Sequence, residues 1–123
     1  MNDVELPEMR KSVLSAVHAL SDEGYQRRVW IRKEYPDEGY YDDFETNLHI
    51  LFDDTPVLDD PESSVGMILR SRDEAGALKG LAVAIDSLLA REGGDREDVD
   101  YINSPLWGAV VSAASIALAA MNR

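Results

Sequence analysis

Three side chains that can bind a metal ion are spaced four residues apart in the middle of the chain. Glu45, His49 and Asp53 would lie along one stripe of a helix, because residues four apart are neighbours on a helix surface. Their oxygen and nitrogen atoms could converge on one cation. The Glu-x-x-His spacing of di-iron bundles is absent and His18 is the only other histidine, so we expect no cofactor and keep this metal site as an alternative.

Sequence motifs of enzymes are absent from the chain. It contains no G-x-S-x-G, no H-E-x-x-H and no Gly-rich loop for a phosphate or a dinucleotide. It also contains no Cys, which excludes thiol nucleophiles, cysteine-based zinc sites and disulfides. Carboxylates are so frequent that a pair of them indicates little about catalysis. We therefore expect no catalytic residue and a function that is not enzymatic.

Acidic residues dominate the middle of the chain. Between Glu34 and Leu69 there are eleven Asp or Glu residues and no Lys or Arg, and seven of the nine aromatic residues lie between Tyr25 and Phe52. Negative potential steers a basic protein toward such a surface, and rigid rings supply contact area. The pattern therefore predicts a partner-binding surface of six residues: Tyr40, Tyr41, Asp42, Asp43, Asp53 and Asp54.

The preferred hypothesis is an acidic, non-catalytic protein-interaction module. The first alternative is a small metal-binding protein or metal-dependent enzyme that uses Glu45, His49 and Asp53. The second is a soluble structural domain of unknown function, in which the charge only maintains solubility. A homodimer is possible in each case, but the pattern specifies no symmetry.

The charge balance and the ends of the chain favour a soluble protein. Twelve basic residues against 24 acidic ones give a net charge of −12, so we expect neither nucleic acid nor an anionic membrane as a partner. The apolar run from Leu106 to Met121 is short for a bilayer and rich in alanine, which favours a buried helix. The first ten residues carry acids where a signal peptide carries a basic and then an apolar run. We expect a cytoplasmic protein.

Hydrophobic periodicity predicts a mainly α protein. The chain has 123 residues and is 45% hydrophobic, which suits one domain over residues 1–123. Apolar residues recur at three- and four-residue steps over 6–21 and again over 72–92, so both segments are predicted to be long helices. Ser104 and Pro105 supply a cap and a first-turn proline for a last helix that runs to Met121.

Two shorter helices are predicted from their capping residues. Asp42 or Asp43 can cap a helix whose apolar residues include Phe44 and Leu51. The pair Asp60-Pro61 has the form of a cap and first residue for a helix that reaches Leu69. With the long helices, these predict a single-domain bundle of five or six helices.

The segment 25–35 is the ambiguous part of the pattern. Val29 and Ile31 alternate with polar neighbours, as in a strand, whereas the four-residue step from Tyr25 to Val29 suits a helix capped by Ser21 or Asp22. Helix is the preferred interpretation. An α+β fold with a small hairpin near residues 25–35 stays open as the alternative.

Small residues at helical spacing predict a close helix crossing. Gly76 and Gly80 lie four apart in the 72–92 helix, where each glycine costs roughly 1 kcal/mol relative to alanine. A close approach of two backbones would offset that cost. The last helix offers a matching row of small residues at Gly108, Ser112, Ser115 and Ala119.

Several short stretches carry a family resemblance. They are Tyr25-Gln26-Arg27-Arg28-Val29-Trp30, Tyr35-Pro36, Tyr40-Tyr41-Asp42-Asp43, Leu51-Phe52-Asp53-Asp54 and Asp60-Pro61. Through them the chain resembles, over nearly its whole length, a family of short acidic bacterial proteins that is frequent in actinomycetes and described as uncharacterised. This resemblance implies no activity, cofactor or site residue. In size and charge alone the chain is also similar to immunity proteins, which cover the active site of a secreted toxin. This similarity implies the most specific form of the preferred hypothesis, an immunity-type inhibitor that neutralises a basic toxin or enzyme.

Overall fold

Six α-helices follow one another in the computed structural model, which describes residues 4–123. They are α1 (Pro7–Ser21), α2 (Glu23–Tyr25), α3 (Phe44–His49), α4 (Arg72–Glu92), α5 (Asp98–Ile102) and α6 (Trp107–Met121). α2 continues as a π-helix over Gln26–Ile31, α3 continues as a π-helix over Ile50–Asp54, and a 3₁₀ turn covers Glu62–Ser64. α6 packs against both α1 and α4.

The prediction of a mainly α, single-domain bundle is confirmed. The described residues contain no strand, so the alternative with a hairpin near residues 25–35 is wrong. That segment is helical as far as Ile31, and Asp22 caps it: the Asp22 carboxylate accepts a hydrogen bond from the Tyr25 N–H at 3.0 Å. Within residues 4–123, none of the helices combines the length and the apolar character needed to span a lipid bilayer.

The longest helix has the predicted bounds and clear signals at both ends. At the start of α4 the Ser71 hydroxyl accepts a hydrogen bond from the Glu74 N–H at 3.3 Å. At its end Gly93 adopts φ = 88°, a conformation that favours glycine, and its N–H donates to the Leu89 carbonyl at 2.8 Å. Leu78, Leu81, Ile85 and Leu88 of α4 are fully buried in the core.

Two buried polar side chains connect the helices. Gln26 is fully buried; its Nε2 donates to the Ala19 and Leu20 carbonyls at 2.9 and 3.0 Å, and its Oε1 accepts from Trp107 Nε1 at 3.0 Å. Its amide group therefore joins the end of α1 to the start of α6. At the other end of the bundle, Arg10 of α1 forms a two-point ion pair with Glu74 of α4.

The predicted helix from Asp60 to Leu69 is wrong. Only Glu62–Ser64 forms a 3₁₀ turn, after which the Ser64 carbonyl accepts hydrogen bonds from the N–H groups of Met67, Ile68 and Leu69. Gly66 has φ = 93°, which breaks a right-handed helix. The resulting compact turn buries both Ile68 and Leu69 completely.

The close crossing predicted at Gly76 and Gly80 is not found among the described residues. Both glycines lie on the exposed side of α4, and a Cβ atom added at either would meet nothing within 4 Å. The row on α6 formed by Gly108, Ser112, Ser115 and Ala119 is exposed as well. α4 and α6 are in contact, and the buried residues of each helix lie on the opposite face, where α6 contributes three alanines.

Candidate functional site

An open groove of about 430 Å³ lies beside the start of α3. Three segments form it: the end of the first π-helix with the loop that follows it, the start of α3, and the stretch from Gly94 to Tyr101 of α5. Its titratable lining is mainly acidic, with five carboxylates against two basic side chains: Asp42, Asp43, Glu45, Glu97 and Asp98 against Lys33 and Arg96. We call this feature the acidic groove.

The floor of the acidic groove is aromatic and rigid. Trp30, Phe44 and Tyr101 line it and are 3%, 1% and 4% exposed. The Phe44 ring centroid lies 4.8 Å from that of Tyr101 and 6.2 Å from that of Trp30, and Trp107 packs behind it at 5.2 Å. At the rim the exposed Tyr41 ring lies 6.0 Å from Tyr35. The rings of the floor are buried against one another, so the ring surface open to a ligand is that of the rim, chiefly Tyr41.

Asp98 is the most perturbed carboxyl group of the acidic groove. Burial raises its pKa from 3.8 to about 6, and the negative charges of Asp43, Asp42 and Glu45 add to the effect. Its Oδ2 accepts one hydrogen bond, at 3.3 Å, from the Phe44 N–H. An Asp98 carboxylate with like charges around it would be stabilised by a cation that enters the groove.

Asp43 both caps α3 and holds the exposed tyrosine. Its Oδ1 accepts from the Thr46 N–H at 2.7 Å, and its Oδ2 accepts from the Tyr41 hydroxyl. Partial burial opposes ionisation, but these hydrogen bonds hold the pKa of Asp43 below its ordinary value. The same bond raises the pKa of Tyr41 to about 12. Asp43 is therefore charged, and Tyr41 neutral, at neutral pH.

The Asp42 carboxylate is directed into the protein. Its Oδ2 accepts from the Tyr25 hydroxyl and from Trp30 Nε1, both at 2.8 Å, and its Oδ1 accepts from Asn47 Nδ2 at 3.0 Å. The Tyr25 hydroxyl also lies 2.5 Å from that of Tyr40. Burial and these two hydrogen bonds raise the pKa of Tyr25. Asp42 thus orders the floor of the groove more than it presents charge to solvent.

We expect Asp42→Ala to destabilise the fold by about 2–3 kcal/mol, because three donors lose a charged acceptor. Chemical denaturation at neutral pH measures this loss. Asp37→Ala, at an exposed acid of the same loop, is the control and should leave the unfolding free energy unchanged. Equal stability of the two variants would contradict the role given to Asp42.

Four of the six residues predicted to bind a partner adjoin one another. Tyr41, Asp42 and Asp43 line the acidic groove, and Tyr40 lines a neighbouring depression that it shares with Tyr41 and Asp42. Asp53 and Asp54 are exposed at the end of the second π-helix and are not among the residues that line the groove.

Sequence reasoning missed the part of the groove that lies far along the chain. Glu97, Asp98 and Tyr101 come from a stretch that the sequence presents as an acidic connector. The sequence did offer a local signal, the spacing of Glu97 and Asp100, which is that of a capped helix start. In the structure the Glu97 N–H donates to Asp100 Oδ2 at 3.3 Å. No pattern in the sequence shows that this helix faces α3.

The predicted metal ligands lie together in the structure, but as an exposed ion-pair ladder. His49 Nδ1 lies 2.5 Å from Asp53 Oδ2, and His49 Nε2 lies 3.5 Å from Glu45 Oε1. The bond to Asp53 raises the pKa of His49, which favours a proton on the ring. In the part of the chain that the structure describes, no group of three or more His, Cys, Asp or Glu side chains is arranged to hold a metal ion.

Comparison with known proteins gives a family but no activity. A family model described as a domain of unknown function (DUF7945) matches residues 4–123. Neither a curated protein nor a solved structure matches the chain.

Proposed function

The chain belongs to the DUF7945 family, whose domain has no assigned function, and from the acidic groove we propose that it is a non-catalytic module that binds a basic segment of another protein. The observation that carries this proposal is the excess of carboxylates in a groove whose rim carries the exposed Tyr41 ring. A Lys or Arg side chain matches both features, because its methylene stem can pack on the ring while its charged head meets carboxylates.

Three residues would contact that basic side chain most directly. Asp98 supplies a half-buried carboxyl group, Asp43 supplies a second carboxylate, and Tyr41, which is 61% exposed, supplies a ring that becomes buried on binding. The Tyr41 ring is already held by its hydrogen bond to Asp43, so binding costs little side-chain entropy. Aromatic residues with these properties dominate the binding energy of protein interfaces.

An immunity-type inhibitor is the most specific form of the proposal. A net charge of −12 would speed the encounter with a basic toxin or enzyme and disfavour acidic competitors. The resemblance noted from the sequence supports a bacterial source for such a module, and we propose that it acts in the cytoplasm. No geometric observation favours the metal alternative over this one, because the His49 ring nitrogens already face carboxylates.

Two matched double variants test whether a partner binds the acidic groove or responds only to the net charge of the protein. In one variant Glu45→Gln and Glu97→Gln remove two carboxylates from the acidic groove; in the other Asp53→Asn and Asp54→Asn remove two from outside it. Full-length protein is immobilised, a native lysate is applied at about 0.05 M salt, and bound proteins are eluted at about 0.5 M, where exposed charges are screened. Titration calorimetry with the purified partner then gives the affinity of each variant.

We expect the groove variant to lose roughly thirtyfold in affinity and the outer variant less than about threefold, because the groove concentrates the contact. Tyr41→Ala should weaken binding about as much as the groove variant. Equal losses from the two charge variants would show that binding depends on net charge alone. The absence of any stoichiometric partner that elutes with salt would overturn the proposal.

A further inference from the structure

The exposed side of α4 carries an uncharged stripe. Five exposed residues form it at alternating steps of four and three: Gly76, Gly80, Val83, Ser87 and Ala90. This is the spacing of the seam along which two helices of a coiled coil meet. The stripe extends over most of the helix, whose buried side already faces the core of the chain. Val83, at its centre, is 59% exposed.

Packing within the chain does not account for the small residues of this stripe. A Cβ atom at Gly76 or Gly80 would meet nothing within 4 Å, so neither glycine is required by a neighbour among the described residues. Glycine inside a helix is nevertheless less favourable than alanine. A helix from outside the chain, packed close to these positions, would account for their size.

The charges beside the stripe specify which helix that is. They change sign about residue 82, the midpoint of α4: Lys79 is matched by Asp86, and Asp73 is matched by Arg91, which also pairs with Glu92 of its own helix at 3.1 Å. Lys79 and Asp86 are both exposed and lie seven residues apart, too far for the contact made by residues three or four apart. In two antiparallel copies of α4, by contrast, each Lys79 lies beside the Asp86 of the other copy.

We propose that the chain forms a homodimer in which α4 pairs antiparallel with α4 of a second copy, about a twofold axis near Val83. A twofold axis brings together identical surfaces, so the surface must be self-complementary. In this arrangement the uncharged stripes of the two copies face each other, and each matched pair of opposite charges forms twice between the copies. This surface goes beyond the binding function proposed above and does not depend on it.

The exposed row on α6 does not offer the same match. Gly108, Ser112, Ser115 and Ala119 are also small and uncharged, and Ile116 beside them is 64% exposed. α6 contains no charged residue, so nothing on it distinguishes a second copy from another partner or fixes an orientation. Ile116 therefore supplies a matched control for Val83.

Sedimentation equilibrium of the full chain tests the proposal. At about 0.15 M salt, where the repulsion between two acidic copies is screened beyond about 8 Å, we expect a concentration-dependent monomer–dimer equilibrium. Val83→Glu should yield a monomer, because it places two like charges at the axis, and Ile116→Glu should not change the dimer. Gly80→Leu should raise the thermal stability of the monomer and abolish the dimer. Circular dichroism verifies that each variant is folded.

A charge exchange gives the sharper test. Lys79→Glu should weaken the dimer at least about tenfold, since the new repulsion with Asp86 occurs twice. Adding Asp86→Lys to the same chain should restore dimerisation. The proposal is overturned if the protein stays monomeric at all concentrations, if Ile116→Glu disrupts the dimer while Val83→Glu does not, or if the exchange fails to restore it.

Discussion

Arg10→Ala should lower the unfolding free energy by about 3–5 kcal/mol, the cost of leaving a buried ion-pair partner unmatched. Arg10 and Glu74 are 6% and 4% exposed, and the guanidinium donates to both Glu74 oxygens at 2.8 and 2.9 Å. It also donates to the carbonyls of Ile68 and Met121, at 3.1 and 3.0 Å. One substitution thus removes contacts between α1, α4 and the last turn of α6.

The pH dependence of stability should show the same interaction. Burial of Glu74 opposes ionisation, but the Arg10 guanidinium and the Arg70 N–H hold the pKa of Glu74 below its ordinary 4.5. A carboxyl group with a lowered pKa stabilises the fold above its unfolded-state pKa, and the stabilisation is lost as the pH falls through the folded-state pKa. The wild-type protein should therefore lose more stability on acidification below pH 4.5 than Arg10→Ala does.

Urea denaturation of two control variants completes this test. Lys11→Ala removes an exposed ion pair with Glu8, and its expected effect is less than about 1 kcal/mol. Arg10→Met combined with Glu74→Leu replaces the buried pair by apolar groups and should recover much of the loss. A loss below about 1 kcal/mol for Arg10→Ala would show that the pair contributes little.

Asp98→Asn should make the free protein more stable and its proposed complex weaker. The ionised carboxylate is half-buried among like charges, so its removal should add about 1 kcal/mol of stability at neutral pH, less than the pKa shift implies because water screens the group. The same change removes the carboxylate that would meet the basic side chain of a partner. We expect roughly a tenfold loss of affinity, in the range of a charged hydrogen bond.

The sign of the pH effect follows from the raised pKa. Because Asp98 takes up its proton more readily in the folded than in the unfolded chain, wild-type stability should decline as the pH rises from about 4 to about 6. The Asp98→Asn variant should lack this decline. Partner affinity should change in the opposite direction and increase over the same interval, since binding a cation favours the ionised form.

Thermal denaturation and calorimetry over this pH interval measure both effects, and the titration of Asp98 can be followed by NMR. Asp95→Asn removes an exposed acid close by in the chain and serves as the control for net charge. Asp98→Asn with unchanged stability and unchanged affinity would show that the carboxyl group is neither strained nor used in binding.

The elements that could be predicted from the sequence are those whose signals are local. α4 has its predicted bounds because Ser71 and Gly93 mark its ends and because its apolar stripe faces the core. The segment 60–69 was mispredicted because a cap and a proline indicate where a helix can begin, whereas Gly66 and the burial of Ile68 end it.

The acidic groove was only half predictable for the same reason. Tyr41 and Asp43 come from the acidic and aromatic stretch that composition makes conspicuous. Asp98 lies 55 residues beyond Asp43 in the chain, and the packing of α5 against α4 and the first π-helix brings it beside Phe44. Asp42 lies in the same acidic and aromatic stretch, but its carboxylate bonds to groups inside the protein. The positions of Tyr25 and Trp30, which donate to it, could not be predicted from the sequence.

Both indole rings of the protein belong to the aromatic cluster under the acidic groove. Trp30 lines the groove and its ring lies 6.1 Å from that of Trp107. The chain has two tryptophans, so all of its indole emission originates from this one cluster. The protein consequently carries a built-in optical reporter, through which occupancy of the groove can be followed without a label.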